Sequence, residues 1–401
     1  MKGLRKNRAF FYMWTGSMVS ELGGAFGTFC NSIIIYELTG SKTALGSMWL
    51  LYFIPSLILQ LFIGPFIDKW SRKWMMIFSQ WTRGLVFLIP LVIMTLGEIE
   101  PWHIYVVQIV VGLITPIYVP AAQAITPTIV SKSQLKAANA YLDGMVRLMT
   151  FLAPVLGGVV IEYTGTKLTL FLVCIFLFAS SSLLMLVKET RTSKTVRQTW
   201  AAQFRAGISF YFQQPVLIWL AIFLAFVQFG VGVSMVINLP YITDELKASY
   251  AEYGYFMASF PLGYVIGSFF VGKKHVDGRR FIMLGALIIG GATYISLAFN
   301  QNIILAYTTE MIAGISLAFF NAYNTTIFQE TVPNDRMGNV FSIRLFIIRG
   351  MMPLGVLAGG VLSELWGIRS MYFLIGSIIC VASFIGLVLP YFRFLDLPQR
   401  E

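Results

Sequence analysis

Long apolar segments alternate with short polar connections along the whole chain. Runs of about 18 or more mostly hydrophobic residues are long enough to cross a hydrocarbon core of about 30 Å. Because lipid offers no hydrogen-bonding partner to the backbone, each run is expected to form a helix. Twelve such runs are present, near residues 10–36, 44–67, 75–97, 102–126, 140–163, 168–188, 215–240, 253–272, 281–299, 303–327, 340–363 and 369–392. The pattern predicts an all-α integral membrane protein with twelve transmembrane helices, which we number span one to span twelve.

Composition supports this class and argues against catalysis. Of the 401 residues, 57% are hydrophobic and only 12% are charged, unlike a soluble globular chain. The three cysteines lie inside apolar runs without metal-ligand spacing, so we interpret them as packing residues. The two histidines lie in loops on opposite membrane faces, and the sequence has no glycine-rich phosphate loop with its lysine. We therefore expect neither an enzyme nor an ATP-driven pump, and no cofactor or metal.

Positive charge is concentrated on one side of the predicted membrane. The net charge of +11 would by itself be compatible with a nucleic-acid partner. However, 21 of the 29 lysines and arginines lie in the even-numbered loops and at both ends of the chain, against four in the opposite loops. This asymmetry follows the positive-inside rule and predicts that both termini are cytoplasmic. Since membrane orientation explains the charge, we expect no nucleic-acid partner.

The segment 143–165 occurs twice in the chain. Shifted by 202 positions, it matches a second segment without a gap. Identical pairs include Arg147 and Arg349, Leu152 and Leu354, Gly157 and Gly359, Gly158 and Gly360, Glu162 and Glu364, and Gly165 and Gly367. A repeat of half the chain predicts two pseudo-symmetric six-helix bundles. We place them at residues 1–188 and 215–401, joined by a basic cytoplasmic linker at 189–214, the only long polar connection.

Polar side chains inside the spans also correspond across the repeat. The aligned pairs are Glu21 with Gln228, Asn31 with Asn238, and Gln108 with Glu310. Each acid thus corresponds to an amide in the other half. Glu21 lies about 16 Å into span one by helical rise, near the midplane, where an acid is costly and functional by default. The alternative is a structural acid that a neighbouring helix satisfies.

The loop after span two carries a recognisable pattern. Residues 64–73 read GPFIDKWSRK, in which Gly64, Asp68, Arg72 and Lys73 match the signature G-x-x-x-D-R-x-G-R-[RK] of the major facilitator superfamily. One arginine and one glycine of the signature are replaced. The resemblance implies the major facilitator fold of two six-helix halves, with this loop as a cytoplasmic latch during alternating access. The alternative is that its cations serve only membrane orientation.

Motifs in spans four and five resemble those of one subgroup of this superfamily. In span five, Ala153, Pro154, Gly157 and Gly158 form A-P-x-x-G-G, which resembles the export-associated antiporter motif G-P-x-x-G-G. The alternative is ordinary packing by small residues. The stretch 112–139 resembles the drug:proton antiporter subgroup related to macrolide efflux proteins, through a Pro-Ala pair, a later proline and a terminal Ala-Asn pair. The superfamily's usual proton-relay arginine in span four has no match.

Charged residues near the span ends complete the set of candidates. Asp143 and Arg147 stand four residues apart on one helical face, and we expect a buried ion pair between them. Arg83 in span three and Arg349 in span eleven are expected to be further buried basic residues. For Arg83, structural pairing and a functional role remain equal alternatives, and its side chain is long enough to snorkel.

These features together predict a proton-coupled secondary transporter that exports hydrophobic or amphipathic small molecules. The resemblance implies a central cavity lined by spans one, four, seven and ten, which carry the aligned acids and amides. Burial favours the neutral form of a carboxyl group, so Glu21 and Glu310 are expected to exchange protons there, with a cationic substrate competing. The alternatives are a dedicated exporter of an endogenous metabolite such as a siderophore or peptide antibiotic, an importer, or a non-transporting sensor or anchor. The expected setting is the bacterial plasma membrane, with lipid, protons and a small-molecule substrate as the partners of a monomer.

Overall fold

The computed structural model describes residue 4 and residues 7–63, 70–189, 208–271, 278–333 and 337–396. Within these residues, eleven helices are long and apolar enough to cross a membrane, and no strand occurs. The helices are α1 (Arg8–Thr39), α2 (Lys42–Phe62), α3 (Arg72–Leu96), α4 (Pro101–Ile129), α5 (Leu135–Met185), α6 (Pro215–Pro240), α7 (Tyr250–Val271), α8 (Arg279–Phe299), α9 (Ile303–Thr331), α10 (Met337–Trp366) and α11 (Ile368–Val388). A π-helical turn, Tyr241–Glu245, continues α6.

Helix α5 contains two spans. It is 51 residues long and has one residue with non-helical backbone, Gly165, at φ 79° and ψ 173°. This backbone region is essentially restricted to glycine, and it separates a first arm, 135–164, from a second arm, 166–185. Gly367, 202 positions later, has nearly the same conformation, φ 85° and ψ 159°, between α10 and α11. The prediction of twelve spans is therefore confirmed, and the repeat extends to the backbone turn.

The described residues form two compact units. Unit 1 contains α1 to α5 together with residues 249–255, which include the first turns of α7. Unit 2 contains α6, the rest of α7 and α8 to α11. Of the predicted linker, only residue 189 and residues 208–214 lie among the described residues. The domain boundaries at 188 and 215 therefore stay a prediction.

The same helix pairs pack together inside each unit. In unit 1, α1 packs on α5, while α3 packs on α4 and on α5. In unit 2 the equivalent elements do the same, because α6 packs on α10, and α8 packs on α9 and on α11. Helices that align in sequence therefore make equivalent contacts in the two units, which supports the internal repeat.

Glycines at matching positions allow one helix in each unit to lie against the backbone of another. A Cβ atom added to Gly112 on α4 would collide with the carbonyl oxygen of Tyr52 on α2. A Cβ atom added to Gly314 on α9 would likewise collide with the carbonyl oxygen of Phe260 on α7. Small residues permit this close packing where lipid gives no hydrophobic driving force between helices. We call these two contacts the glycine contacts of α4 and α9.

Candidate functional site

Glu21 lies in the middle of α1 beside a polar cluster that joins three helices of unit 1. The side chain is half-buried, and Arg83 on α3 exerts an electrostatic attraction on it. Gln80, one turn before Arg83, donates a hydrogen bond to the hydroxyl of Ser20. Arg83 Nη1 is 3.5 Å from the Gln80 side-chain oxygen. A carboxylate, a guanidinium and an amide thus meet at one level of α1 and α3.

A third helix contributes a phenol group to this cluster. The hydroxyl of Tyr118 on α4 donates to Ser17 Oγ at 3.3 Å, and both side chains are buried. Glu21 also acts electrostatically on Tyr118. The cluster therefore connects α1, α3 and α4 through groups that can each donate or accept a hydrogen bond.

Arg83 is held beside α1 because the facing position is a glycine. A Cβ atom at Gly24 would collide with Arg83 Nη2. The Nε atom of Arg83 is buried and lacks a hydrogen-bond partner within the described part of the chain. The guanidinium is therefore directed into unit 1, although the side chain as a whole is half-buried rather than fully buried.

Glu310 lies on α9 of unit 2 in an aromatic environment. It is half-buried and acts electrostatically on the hydroxyls of Tyr241 and Tyr294. Tyr294 accepts a hydrogen bond from Ser234 Oγ at 3.1 Å. Among the described residues, no basic side chain acts electrostatically on Glu310. The two candidate acids thus have different neighbours, an arginine for Glu21 and tyrosines for Glu310.

The predicted amides of unit 1 are buried with unsatisfied polar atoms. Asn31 is 0% exposed and Gln108 is 2% exposed. Among the described residues, neither polar side-chain atom of Asn31 nor the Nε2 atom of Gln108 has a hydrogen-bond partner. By helical rise, Asn31 lies about 12 Å before the end of α1 and Gln108 about 10 Å after the start of α4. Buried polar groups normally bind water or a ligand when protein offers no partner, so this region of unit 1 suits a polar guest.

Asn238, which aligns with Asn31, has a different role in unit 2. Its side-chain oxygen accepts a hydrogen bond from the hydroxyl of Tyr372 at 2.7 Å. Its amide nitrogen lies 3.7 Å from the sulfur of Met257. These contacts join α6, α7 and α11, so Asn238 acts as a packing residue within its unit.

Gln228 lines a cavity of about 220 Å³ inside unit 2. The cavity lies among α6, α9 and α10, and its other lining residues are Leu224, Leu317, Asn321, Thr325, Phe341, Arg344, Leu345 and Ile348. Sequence reasoning missed Arg344 and Asn321. A cation within span eleven was the available signal for Arg344, but leucine stands at the aligned position, 142, so the repeat did not single it out.

The loop motif after span two is described only in part. Gly64 and Asp68 lie outside the described residues, while Arg72 and Lys73 begin α3. Ser71 caps the start of α3, because its hydroxyl accepts a hydrogen bond from the backbone N–H of Trp74 at 3.4 Å. Glu189, which lies outside the motif, adds further bonds at the same helix start. Glu189 accepts hydrogen bonds from the backbone N–H groups of Arg72 (3.1 Å) and Lys73 (3.2 Å), and from Ser71 Oγ at 2.5 Å.

Removing the Glu189 carboxylate is expected to destabilise the protein. A negative charge that accepts several bonds at a helix N-terminus is stabilising, so we expect Glu189→Ala to lower the free energy of unfolding by about 1–2 kcal/mol. Glu189→Gln should cost less, because the amide oxygen still accepts. Thermal unfolding in detergent measures both. Glu98→Ala removes an exposed acid and serves as the control; equal effects at residues 98 and 189 would contradict the capping role.

The A-P-x-x-G-G motif lies where α5 meets the first turns of α7 within unit 1. A Cβ atom at Gly158 would lie 2.6 Å from the carbonyl oxygen of Tyr250 and 3.0 Å from Gly254 Cα. A Cβ atom at Gly254 would in turn collide with the carbonyl oxygen of Pro154. Gly157 instead faces α1, where Phe26 would be 3.5 Å from an added Cβ. The motif therefore presents one glycine to each neighbouring helix.

Two carboxylates hold the same turn of α7. Glu162, one turn after the motif, accepts a hydrogen bond from the backbone N–H of Tyr250 at 2.9 Å. Glu37 on α1 accepts from the hydroxyl of Tyr250 at 2.8 Å. The start of α7 is thus fixed to α5 and α1 by packing and by charge-assisted hydrogen bonds.

Two expectations about charged residues are wrong with respect to burial. Arg147 Nε and Asp143 Oδ2 do pair at 2.8 Å, but their side chains are 50% and 64% exposed. Residues four apart on one helix pair without help from tertiary packing, and the face that carries this pair lies away from the core of unit 1. Arg349, the repeat counterpart of Arg147, is also exposed. Both arginines therefore keep equivalent positions on the exposed face of their unit.

Comparison with known proteins places this geometry in context. A family model described as transmembrane secretion effector matches residues 3–399. Macrolide efflux protein A of Streptococcus pyogenes is 22% identical over 397 residues, covering 97% of both chains. The staphyloferrin A transporter of Staphylococcus aureus is 21% identical over 377 residues, covering 92% of this chain and 94% of that protein.

A solved structure agrees with the fold. The bacterial homologue of the human lysosomal transporter Spinster has a TM-score of 0.74, covering 98% of this chain and 97% of that chain at 13% identity. At this identity the likeness concerns the fold alone. The predicted fold class and the resemblance to macrolide-efflux-type exporters are both confirmed.

Proposed function

Since the chain belongs to the transmembrane secretion effector family of the major facilitator superfamily, we propose that it exports hydrophobic or amphipathic small molecules in exchange for protons. Family membership makes it a multi-pass membrane transporter. Proton coupling and outward direction are the proposal. The observation that carries it is Glu21, an acid in the middle of α1 whose electrostatic partner is Arg83.

The proposed coupling begins with a proton on Glu21. While the carboxylate is charged, its attraction to Arg83 draws α1 and α3 together. Protonation removes that attraction and frees the guanidinium to bind Gln80 more closely. The hydrogen-bonded hydroxyls of Ser20 and Tyr118 then have new partners available. Gain or loss of one proton thus favours one of two packings of α1, α3 and α4. Coupling requires such a two-state element.

Glu310 is proposed as a second titrating acid. Gain or loss of its proton would therefore act on Tyr241 and Tyr294 rather than on an arginine. Of the aligned amides, Asn31, Gln108 and Gln228 are proposed to bind polar groups of the substrate.

The motifs have proposed mechanical roles. The contact of Gly158 with Gly254, together with the bonds from Tyr250 to Glu162 and Glu37, would act as a gate that opens when α7 leaves α5. Arg72 and Lys73 would contribute to the latch on the opposite face, with both termini in the cytoplasm as the charge distribution predicts. We propose a monomer in the bacterial plasma membrane that acts without catalysis and without nucleic acid.

A dedicated exporter of an endogenous metabolite is the second candidate. Similarity to the staphyloferrin A transporter, whose name indicates a single compound, favours it about as much as similarity to macrolide efflux protein A favours drug export. Both candidates use the same fold, so only substrates separate them.

Transport by the purified chain tests the proposed function. Proteoliposomes with an acidic interior should accumulate at least one member of a panel of labelled macrolides, siderophores and amphipathic dyes. The protein molecules whose cytoplasmic face points outward would carry this uptake. A protonophore should abolish accumulation, because it removes the proton gradient. A gradient of K⁺ at equal pH serves as the control. Accumulation that ignores the protonophore would contradict proton coupling, and broad against narrow selectivity would distinguish the two candidates.

A further inference from the structure

Arg344 is a buried cation inside unit 2 that the mechanism above does not use. It lies seven residues into α10, about 10 Å along the helix axis, and is only 5% exposed. One guanidinium nitrogen donates to the side-chain oxygen of Asn324 on α9, and the guanidinium carbon is 4.4 Å from the ring centre of Phe328. The same side chain lines the cavity of about 220 Å³ that Gln228 also lines.

The charge of Arg344 is not neutralised by any carboxylate in the described part of the chain. There, the amide oxygen of Asn324 accepts a hydrogen bond from Arg344, and the phenol of Tyr211 acts on it electrostatically. A charge buried within a membrane protein is costly unless it is paired. Such residues mark binding sites by default. An anion that enters the cavity would supply the missing partner.

Two ordinary explanations fit the position of Arg344 less well. A cation that serves membrane orientation would extend to the lipid headgroups, whereas Arg344 is buried. A purely structural arginine would have protein on every side, whereas Arg344, although only 5% exposed, also contributes to the lining of the cavity. Arg349 on the same helix shows the contrast, because it is exposed and does not line the cavity.

The cavity has the composition of a site for an amphipathic molecule. Its polar groups are Arg344, Gln228, Asn321 and Thr325, and its remaining lining is aliphatic or aromatic. An apolar pocket with a few convergent polar groups is typical of small-molecule sites. Asn321 is oriented by a 3.5 Å contact from its amide nitrogen to the hydroxyl of Tyr264. None of the described residues that line this cavity is an acid, so none of them repels an anion.

We propose that this cavity binds the anionic group of an amphipathic substrate. The guanidinium of Arg344 binds a carboxylate or a similar oxyanion, which suits its planar pair of donors. Gln228 and Asn321 offer further amide donors, and the aliphatic side chains bind the hydrocarbon part. This assignment rests on the proposed export function, because it defines the chemical class of the substrate. It replaces the expectation of a cationic substrate with an anionic one.

Matched probes test the charge preference directly. The full chain in lipid nanodiscs is titrated by calorimetry with 1-naphthoate, with its uncharged isostere 1-naphthamide, and with 1-naphthylmethylammonium. We expect the wild-type protein to bind the carboxylate at least tenfold more tightly than the amide or the cation. Arg344→Gln should reduce that preference to less than twofold, and Arg344→Lys should retain part of it, because lysine keeps the charge but loses the two-donor geometry. Arg349→Gln should leave the preference unchanged.

Each outcome has a defined meaning. Equal affinities in the wild type, tighter binding of the cation, or an undiminished preference in a folded Arg344→Gln protein would each overturn the anion site. If Arg344→Gln does not fold, Asn321→Ala and Arg344→Lys test the same prediction, and an unaltered preference in both would overturn it. Flux of 1-naphthoate in proteoliposomes separates the two proposals. If 1-naphthoate binding depends on Arg344 but no proton-driven flux occurs, the export function is refuted and the anion site stands. If proton-driven flux occurs without a charge preference in binding, the anion site is refuted and the export function stands.

Discussion

Replacing Glu21 by glutamine is expected to abolish transport driven by a pH gradient. The amide keeps the size and the hydrogen-bonding capacity of the carboxyl group but has no proton to exchange. It also removes the attraction to Arg83 permanently, so the polar cluster of α1, α3 and α4 can no longer alternate between two packings. Proton-driven accumulation in proteoliposomes should fall to the level of empty liposomes, while exchange of labelled for unlabelled substrate at equal pH continues.

Two control variants make this result specific. Asp143→Asn removes an acid of the same unit whose ion pair is exposed, and it should leave proton-driven transport close to the wild-type rate. Glu310→Gln tests the second acid. If Glu310→Gln abolishes proton-driven transport while Glu21→Gln transports normally, the coupling acid is Glu310 of unit 2. Normal coupling in both variants would reject the proposed mechanism.

Replacing Gly314 by alanine is expected to destabilise unit 2 strongly. The added methyl group would collide with the carbonyl oxygen of Phe260, which is backbone and has no rotamer that avoids the contact. Overpacking typically costs about 1–3 kcal/mol, and the contact with backbone places this substitution at the upper end of that range. The melting temperature in detergent should fall by roughly 5–10 °C. Tryptophan fluorescence during heating measures this change.

A matched pair of substitutions separates packing from helix propensity. Gly285→Ala also adds a methyl group within a helix of unit 2, but nothing lies within 4 Å of its Cβ position. It should be neutral or slightly stabilising, since alanine favours helix over glycine. Gly112→Ala should repeat the loss in unit 1, because its Cβ would meet the carbonyl oxygen of Tyr52. Similar melting temperatures for Gly285→Ala and Gly314→Ala would refute the glycine contacts as a source of stability.

The fold could be predicted because its determinants are local or repeated. Span length and hydrophobicity identify each helix without knowledge of its neighbours. The identity of Gly165 and Gly367 indicated an internal repeat, and their nearly equal backbone angles show that the two turns are the same. A glycine-only conformation preserves its residue in both copies, so the repeat remains visible in the sequence.

The candidate site could be predicted only in part, because burial and partners depend on tertiary packing. The spacing of Asp143 and Arg147 correctly indicated an ion pair, but spacing carries no information on which helical face is exposed. Asn31 and Asn238 align in sequence, yet only Asn238 has a tyrosine partner. Arg344 lacks a repeat counterpart, so neither motif nor symmetry singled it out.

The glycine contacts of α4 and α9 also restrict how the molecule can rearrange. In each contact, a carbonyl oxygen of one helix occupies the space where a side chain of the other helix would otherwise lie. Sliding one helix along the other would therefore make their backbone atoms collide. The pairs α2–α4 and α7–α9 should each move as one rigid body during the transport cycle. Engineered cross-links within either pair should then leave the transport cycle running at its normal speed.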